Sequence, residues 1–333
     1  MKHFINTQDW SLEELQLLLD RAARLKAGPH RPQLQGRTIA LLFLNPSLRT
    51  RASFQIGAAQ LGATAIVLEP GNGVWGIEFD PGKVMDGDAE EHIIEVAGVL
   101  SRYCDLIAMR AFPGFKNWQY DRDDPMIKAL ARHARVPVIN METIIHPCQE
   151  LALAMTLQEK LGGLKGRKLC LTWTWHPQPL STAVPNSVAM IGTKFGMDVT
   201  LLCPSPDYVL DERFMKAALA NAAASGGRLA VTHDIGDAYR AADVVYAMSW
   251  GALPYYGDPE KQWAQSGAYR GFMVDQKKMA MTNDALFSHC LPLRRNVEAA
   301  DAIVDGPRFA AIDEADNRLH VQKALMLSLL GVT

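Results

Sequence analysis

The chain has 333 residues, 48% of them hydrophobic and 21% charged, a size and balance that fit a globular protein of two domains with a large core. A net charge of −2 and a sequence pI near 6.5 argue against nucleic acid or a membrane surface as the main partner, so any basic chemistry has to be local. The five cysteines are odd in number and contain no CxxC, so they are expected to be reduced; with no apolar signal core in MKHFINTQDW and no unbroken apolar run of about 18 residues, the expected setting is the cytoplasm.

In chain order, the first signal is Ser11 with Glu14, a capping box ahead of a leucine-rich helix predicted to reach about Leu25. TIALLFL (38 to 44) reads as a buried strand that ends in the turn Asn45-Pro46. Phe54, Ala58 and Leu61 then recur at helical spacing with Gly62 as a stop, which predicts a helix from near Ser47. AIVLE (65 to 69) reads as a strand, Asp88 with Glu91 as the cap of a helix to about Tyr103, and DLIAMR (105 to 110) as another strand. A helix around 124 to 134 precedes the strand VPVINM (136 to 141), and PCQELALAMTLQEKLG (147 to 162) is helical.

After Gly162-Gly163 a second series of strands is predicted at KLCLTWT (168 to 174), DVTLLC (198 to 203), RLAVTH (228 to 233), VVYAMS (244 to 249) and LFSHCL (286 to 291). This rhythm predicts an α/β protein of two doubly wound parallel-sheet domains, residues 1–150 and 151–314, with the active site in the cleft between them. A last helix within 315–333 is expected to pack back on the first domain.

Polar chemistry gathers where strands end. NPSLRTRASF (45 to 54) puts Ser47, Arg49, Thr50 and Arg51 at a strand-to-helix junction, where unpaired amides and the helix dipole already favour an anion. Hydroxyls and planar guanidiniums add donors suited to phosphate oxygens. Capping explains one hydroxyl but not the cluster, so a bound phosphate is expected. Arg110 closes the strand DLIAMR, HPCQE (146 to 150) opens a helix, and HPQPLSTA (176 to 183) and HCLPLRRN (289 to 296) follow predicted strands. Singly, Arg110 suits a solvated rim, and His146 or His289 suits a capped or core histidine. Together they suit a single chemistry, in which a phosphate is held, a neighbouring carbonyl is polarised by His146 and Gln149, and an amine attacks. Zinc on His146, Cys148, His289 and Cys290 is not expected, because the pairs lack the usual ligand spacing. No G-x-S-x-G, Walker loop or G-x-G-x-x-G occurs, which speaks against a serine hydrolase and against nucleotide binding.

Ser47-Leu48-Arg49-Thr50-Arg51 matches the S-x-R-T-R motif of aspartate and ornithine carbamoyltransferases, and HPCQ and HCLP match that family's other signatures in order. The chain resembles this family over essentially its whole length. The Trp75 loop, MDGDAEEH (85 to 92), NMETIIHPCQE (140 to 150), TWTWHPQPL (172 to 180) and SWGALP (249 to 254) make it most similar to the branch that acts on N-acetylornithine.

The resemblance implies that carbamoyl phosphate is held by Ser47, Leu48, Arg49, Thr50, Arg110, His146, Pro147, Cys148, Gln149 and Arg318. Trp75 would reach the site from a neighbouring subunit of a homotrimer. Thr50, Arg110 and His146 would hold an oxyanion, while Cys290 and Leu291 would meet the carbamoyl amide and the attacking amine. Glu142, His176, Met248 and Leu291 fall at positions that contact N-acetylornithine, and Glu90 at one that favours an acetyl over a charged succinyl group. Two positions depart from the pattern. Met248 stands where relatives have a lysine, and Glu298 stands where relatives have a lysine that can be carboxylated; if those lysines pair, Glu298 is left partnerless or reassigned. The implied reaction carbamoylates the δ-amine of N-acetylornithine in arginine biosynthesis, without metal or cofactor. Ornithine or N-succinylornithine as acceptor, and a non-catalytic carbamoyl-phosphate binder, stay open as alternatives.

Overall fold

The apolar runs of the first half become β1 (Thr38–Phe43), β2 (Thr64–Leu68), the short pair β3 (Ile77–Glu78) and β4 (Glu91–His92), β5 (Leu106–Arg110) and β6 (Val138–Glu142). Those of the second half become β7 (Lys168–Trp173), β8 (Asp198–Leu202), β9 (Arg228–Thr232), β10 (Val244–Met248) and β11 (Leu286–Ser288). They belong to a computed structural model that describes residues 1–178 and 180–332; Pro179, inside the TWTWHPQPL stretch, and Thr333 lie outside the described residues. The chain divides into two compact units. One comprises Met1–Gly114, Gln119–Cys148 and the chain from Asn317 onward; the other comprises Phe115–Trp118 and Gln149–Asp316.

In the first unit the sheet order is β2-β1-β5-β6, and every pairing is parallel. The chain moves outward from β1 to β2, then returns to the other side of β1 with β5. That reversal makes the carboxyl ends of β1 and β5 a topological switch point, where open α/β sheets hold ligands. Phe43 pairs in register with Arg110, so the loop that begins at Leu44 leaves the sheet beside Arg110. A register shift between Met109 and Arg110 then sets Arg110 opposite Glu142 at the end of β6. Ala40, Leu42, Ile107, Met109 and Val138 pack with Ile93, Ala97, Leu100, Ile127 and Leu130 of the covering helices. These strands read as continuous apolar runs because helices cover the sheet.

The second unit repeats the plan with order β11-β10-β7-β8-β9, again parallel. Its switch point lies between β7 and β10, and Trp173 pairs with Met248 across it. The segments that leave those strands carry His176 and Ser249. Cys170, Leu202, Val245, Ala247 and Phe287 form the centre of its core.

Two local expectations are corrected. The helix Ile93–Tyr103 is capped by His92, whose ring accepts from the Ile94 amide, rather than by Asp88 with Glu91. Glu91 and His92 are drawn into β4 by pairing with β3, which holds the backbone extended just before the helix. The last helix spans Ala311–Leu329 and so begins four residues before the expected 315.

Candidate active site

Ser47 is the N-cap of the helix Leu48–Gln60, its hydroxyl accepting from the Thr50 amide at 3.2 Å. Thr50 is fully buried, and its hydroxyl accepts from Arg318 Nη2 at 2.7 Å. Arg318 comes from the long last helix and is 2% exposed. Burial lowers its pKa, opposed by the negative character of Cys148 and Glu142 and reinforced by Arg110 and Arg49. Arg110 lies over the Phe112 ring at 4.5 Å and donates to Glu142 Oε2. His146 Nε2 is 3.2 Å from the same Glu142 oxygen. The His146 pKa is held well below the usual range, first by burial and then by Arg318, Arg110 and Arg49. The imidazole is therefore neutral at physiological pH, so its Nε2–H donates to Glu142.

The first unit thus gathers Ser47, Arg49, Thr50, Arg110, Glu142, His146 and Arg318. Three guanidiniums act on one neutral imidazole, with Glu142 as the carboxylate among them. The buried guanidiniums of Arg110 and Arg318 lie with the carboxylate of Glu142; buried charge short of a counter-ion is costly, and an added anion would offset that cost. The Nε–H groups of Arg110 and Arg318 are buried with no acceptor among the described residues, which leaves donors available to such an anion.

Other expected members of this half stand apart. Leu48 is 79% exposed and Trp75 is 68% exposed; Glu90 is also exposed, just before β4. Arg51, expected to help the phosphate, instead pairs with Glu69 at 2.8 Å on the surface. One residue past Thr50, a helix turns its side chain by about 100°, so Arg49 and Arg51 cannot share a face. Pro147 opens the helix Pro147–Leu161, and the Cys148 thiol donates to the Asn140 carbonyl at 3.5 Å.

The second unit carries Gln149, His176, Met248, Cys290, Leu291 and Glu298. Met248 closes β10, with its sulfur 3.5 Å from Cys290 Sγ. Arg294 Nε donates to His176 Nε2 at 2.8 Å, and His176 Nδ1 lies 2.9 Å from the Gln178 carbonyl. A guanidinium only donates, so the Nε2 lone pair is spent on Arg294, while Nδ1 lies within hydrogen-bond reach of both the carbonyl and the amide of Gln178.

Glu298 is not left partnerless. It is 1% exposed, lies 3.4 Å from His289 Nε2 and accepts from the Arg294 amide at 2.8 Å. Burial raises its pKa, but the hydrogen bonds from His289 and from the Arg294 amide outweigh that and leave it lowered. His289 Nδ1 accepts from the Leu291 amide at 2.9 Å, so the proton sits on Nε2, toward Glu298. Glu298 thereby fixes the tautomer that pins Leu291, itself held at φ +52°, a left-handed conformation uncommon for a branched residue. Sequence reading did not single out Arg294 or this relay; the signal was HCLPLRRN followed by a carboxylate, legible only once the loop's return is known.

The fold and the first cluster define the class: an α/β enzyme of two parallel-sheet units, the first of which gathers guanidiniums around a buried imidazole. The chain belongs to the aspartate/ornithine carbamoyltransferase family. The profile of that family's carbamoyl-P binding domain matches residues 2–159, and the profile of its Asp/Orn binding domain matches residues 168–329. Among relatives, the N-acetylornithine carbamoyltransferase of Xanthomonas campestris pv. campestris is 60% identical over 99% of this chain and 98% of its own length. A crystal structure of acetylornithine transcarbamylase complexed with acetylcitrulline superposes with a TM-score of 0.98 at 60% identity, covering 99% of each chain. A lysine-to-glutamate variant of N-acetyl-L-ornithine transcarbamylase, complexed with PALAO, is equally similar, with a TM-score of 0.98.

Proposed function

We propose that the chain transfers the carbamoyl group of carbamoyl phosphate to the δ-amine of N-acetyl-L-ornithine, giving N-acetyl-L-citrulline and phosphate in arginine biosynthesis. The observation that carries this reading is the group of Arg49, Arg110 and Arg318 around a neutral His146 in a chain of this family. In this reading the first unit, with Ser47 and the amides after it, holds the phosphate, and neutralising its charge also eases its departure. Arg110 and His146 already converge on one anionic oxygen, Glu142 Oε2, the arrangement that a tetrahedral oxyanion requires; Thr50 supplies a third donor.

The acceptor half belongs to the second unit. Met248 supplies no cation for the substrate's carboxylate, whereas Arg294 in the same unit offers one. Cys290 and Leu291 meet the carbamoyl amide and the amine. An alkylamine is protonated at neutral pH, with a pKa of about 10.4 for a lysine-like group, so the rate should rise from pH 6 to 9. Because Arg294 engages His176 Nε2, the departing phosphate is the better acceptor for the amine proton. Trp75, a large exposed aromatic, fits a homotrimer in which it completes a neighbouring subunit's site.

The test is ureido-product formation from carbamoyl phosphate with N-acetylornithine, N-succinylornithine and ornithine offered separately, with the products identified by mass. N-acetylcitrulline as the dominant product is expected. A preference for either other acceptor would move the assignment within the family, and carbamoyl-phosphate binding without product would leave only the first half-site standing.

A further inference from the structure

Gln149 is 3% exposed and follows directly on the His146-Pro147-Cys148 segment. Its Nε2 donates to Glu314 Oε1, while its Oε1 is buried with no hydrogen-bond partner among the described residues. Glu314 is fully buried in turn. Tyr246 OH donates to its Oε1 at 3.1 Å, and Ser288 Oγ donates to its Oε2. Tyr246 lies in β10, Ser288 ends β11, and Glu314 stands near the start of the last helix, so three separate elements of the second unit converge to hold one carboxyl.

We propose that Glu314 is a positioning residue: it fixes the amide of Gln149 so that Nε2 is tied into the protein and the carbonyl Oε1 is presented as the acceptor for the carbamoyl NH2. This rests on the proposed role of Gln149 in holding carbamoyl phosphate. Hydrogen-bond valence decides the orientation. An amide side chain has one acceptor end and one donor end, and at ordinary precision they are told apart only by their partners. As a carboxylate, or as an acid with its proton on Oε2, Glu314 accepts at Oε1 from Tyr246 OH and from the donor end of Gln149. The acceptor end is left exposed to the substrate, and a carbamoyl NH2 is a donor. With the amide turned round, two donors would face each other and the substrate would be repelled. A buried carbonyl without a protein partner is costly, and binding of a donor would remove that cost.

Steady-state kinetics on three variants and a double-mutant cycle test this, with thermal unfolding followed in parallel. Glu314→Met keeps the length but offers no acceptor, and should lower kcat/KM for carbamoyl phosphate on the order of 10- to 100-fold. Glu314→Gln can turn its own oxygen to Gln149 and its NH2 to Ser288, and should recover most of that loss. In a Gln149→Met background, Glu314→Met should cost little further activity, because the group it positions is gone. Should Glu314→Met fail to fold, Ser288→Ala and Tyr246→Phe loosen Glu314 without touching Gln149 and should give smaller losses that vanish in the Gln149→Met background. Independent, multiplicative losses would overturn the proposal and make Glu314 a structural residue. A Gln149→Met enzyme with unchanged carbamoyl-phosphate KM would overturn the role of Gln149 itself, and the positioning role with it.

Discussion

Arg318 is the residue whose removal separates binding from folding most cleanly. Its guanidinium is buried, touches Thr50 and lies in the field of Arg110 and Arg49, so its own cationic neighbours make it costly until an anion arrives. Arg318→Met should leave stability little changed, while raising carbamoyl-phosphate KM by roughly 30- to 5,000-fold, the range for removing one partner of a buried charge pair; inhibition and initial-rate kinetics would read it. Glu298 predicts the opposite pattern. Glutamine in its place has one oxygen for two donors, His289 Nε2–H and the Arg294 amide. Glu298→Gln should therefore cost about 1–3 kcal/mol of stability, and through Leu291 should raise the KM of the amine substrate more than that of carbamoyl phosphate. Denaturant titration beside two-substrate kinetics checks both. That Glu298 differs from the family pattern was legible in the sequence; that His289 takes it up was not, because the two stand nine residues apart across a loop.

At the level of elements, the helix that follows β1 has two separable roles at one residue. Ser47 caps it through the Thr50 amide and stands among the phosphate donors. Ser47→Ala should lose about 0.5–2 kcal/mol, Ser47→Gly only a few tenths, yet both should raise carbamoyl-phosphate KM comparably. A KM that tracked the stability loss instead would reduce Ser47 to a cap. The strand-to-helix junction was legible because an apolar run, a turn and helical spacing all agree locally. The cap of Ile93–Tyr103 was misread because Asp88 and Glu91 form a plausible local motif, while pairing of Glu91 and His92 with Ile77 and Glu78 is a contact across more than ten residues that no local rule carries.

For the molecule as a whole, buried titratable groups set opposing pH dependences. Glu314 is raised to about 7 and Asp124 to about 6, in both cases by burial. Each is thus easier to bury protonated: its contribution is fully present below the ordinary carboxyl value and is lost as pH rises through the folded value. His146 is lowered, so its contribution is present above 6.5 and is lost as pH falls below that. Glu314→Gln removes one of the first kind. It should be more stable than the parent at pH 8 by about 1–3 kcal/mol, with the difference closing as pH falls toward 4.5; equal stability at pH 8 would contradict the burial argument. The proposed shared site gives a test of assembly. Trp75 is exposed, so Trp75→Ala should change stability by no more than about 0.5 kcal/mol while lowering activity. Mixing it with Arg318→Met under conditions that exchange subunits should restore activity, since some sites then hold both wild-type residues; native mass would report the trimer.

The sequence by itself determined the strand-helix alternation, the two parallel sheets, the phosphate motif and the family, because each rests on periodicity or on residues adjacent in the chain. It also placed Ser47, Thr50, Arg110, His146 and Arg318 among the candidates. Tertiary structure alone decided which of them share a charge environment, that Arg51 turns to Glu69, that His176 is engaged by Arg294, and that Glu314 orients Gln149. Those are matters of strand order, helix rotation and hydrogen-bond valence across 18 to 165 residues of chain. Side-chain partners at such separations are set by the packing of whole elements, which no local pattern encodes.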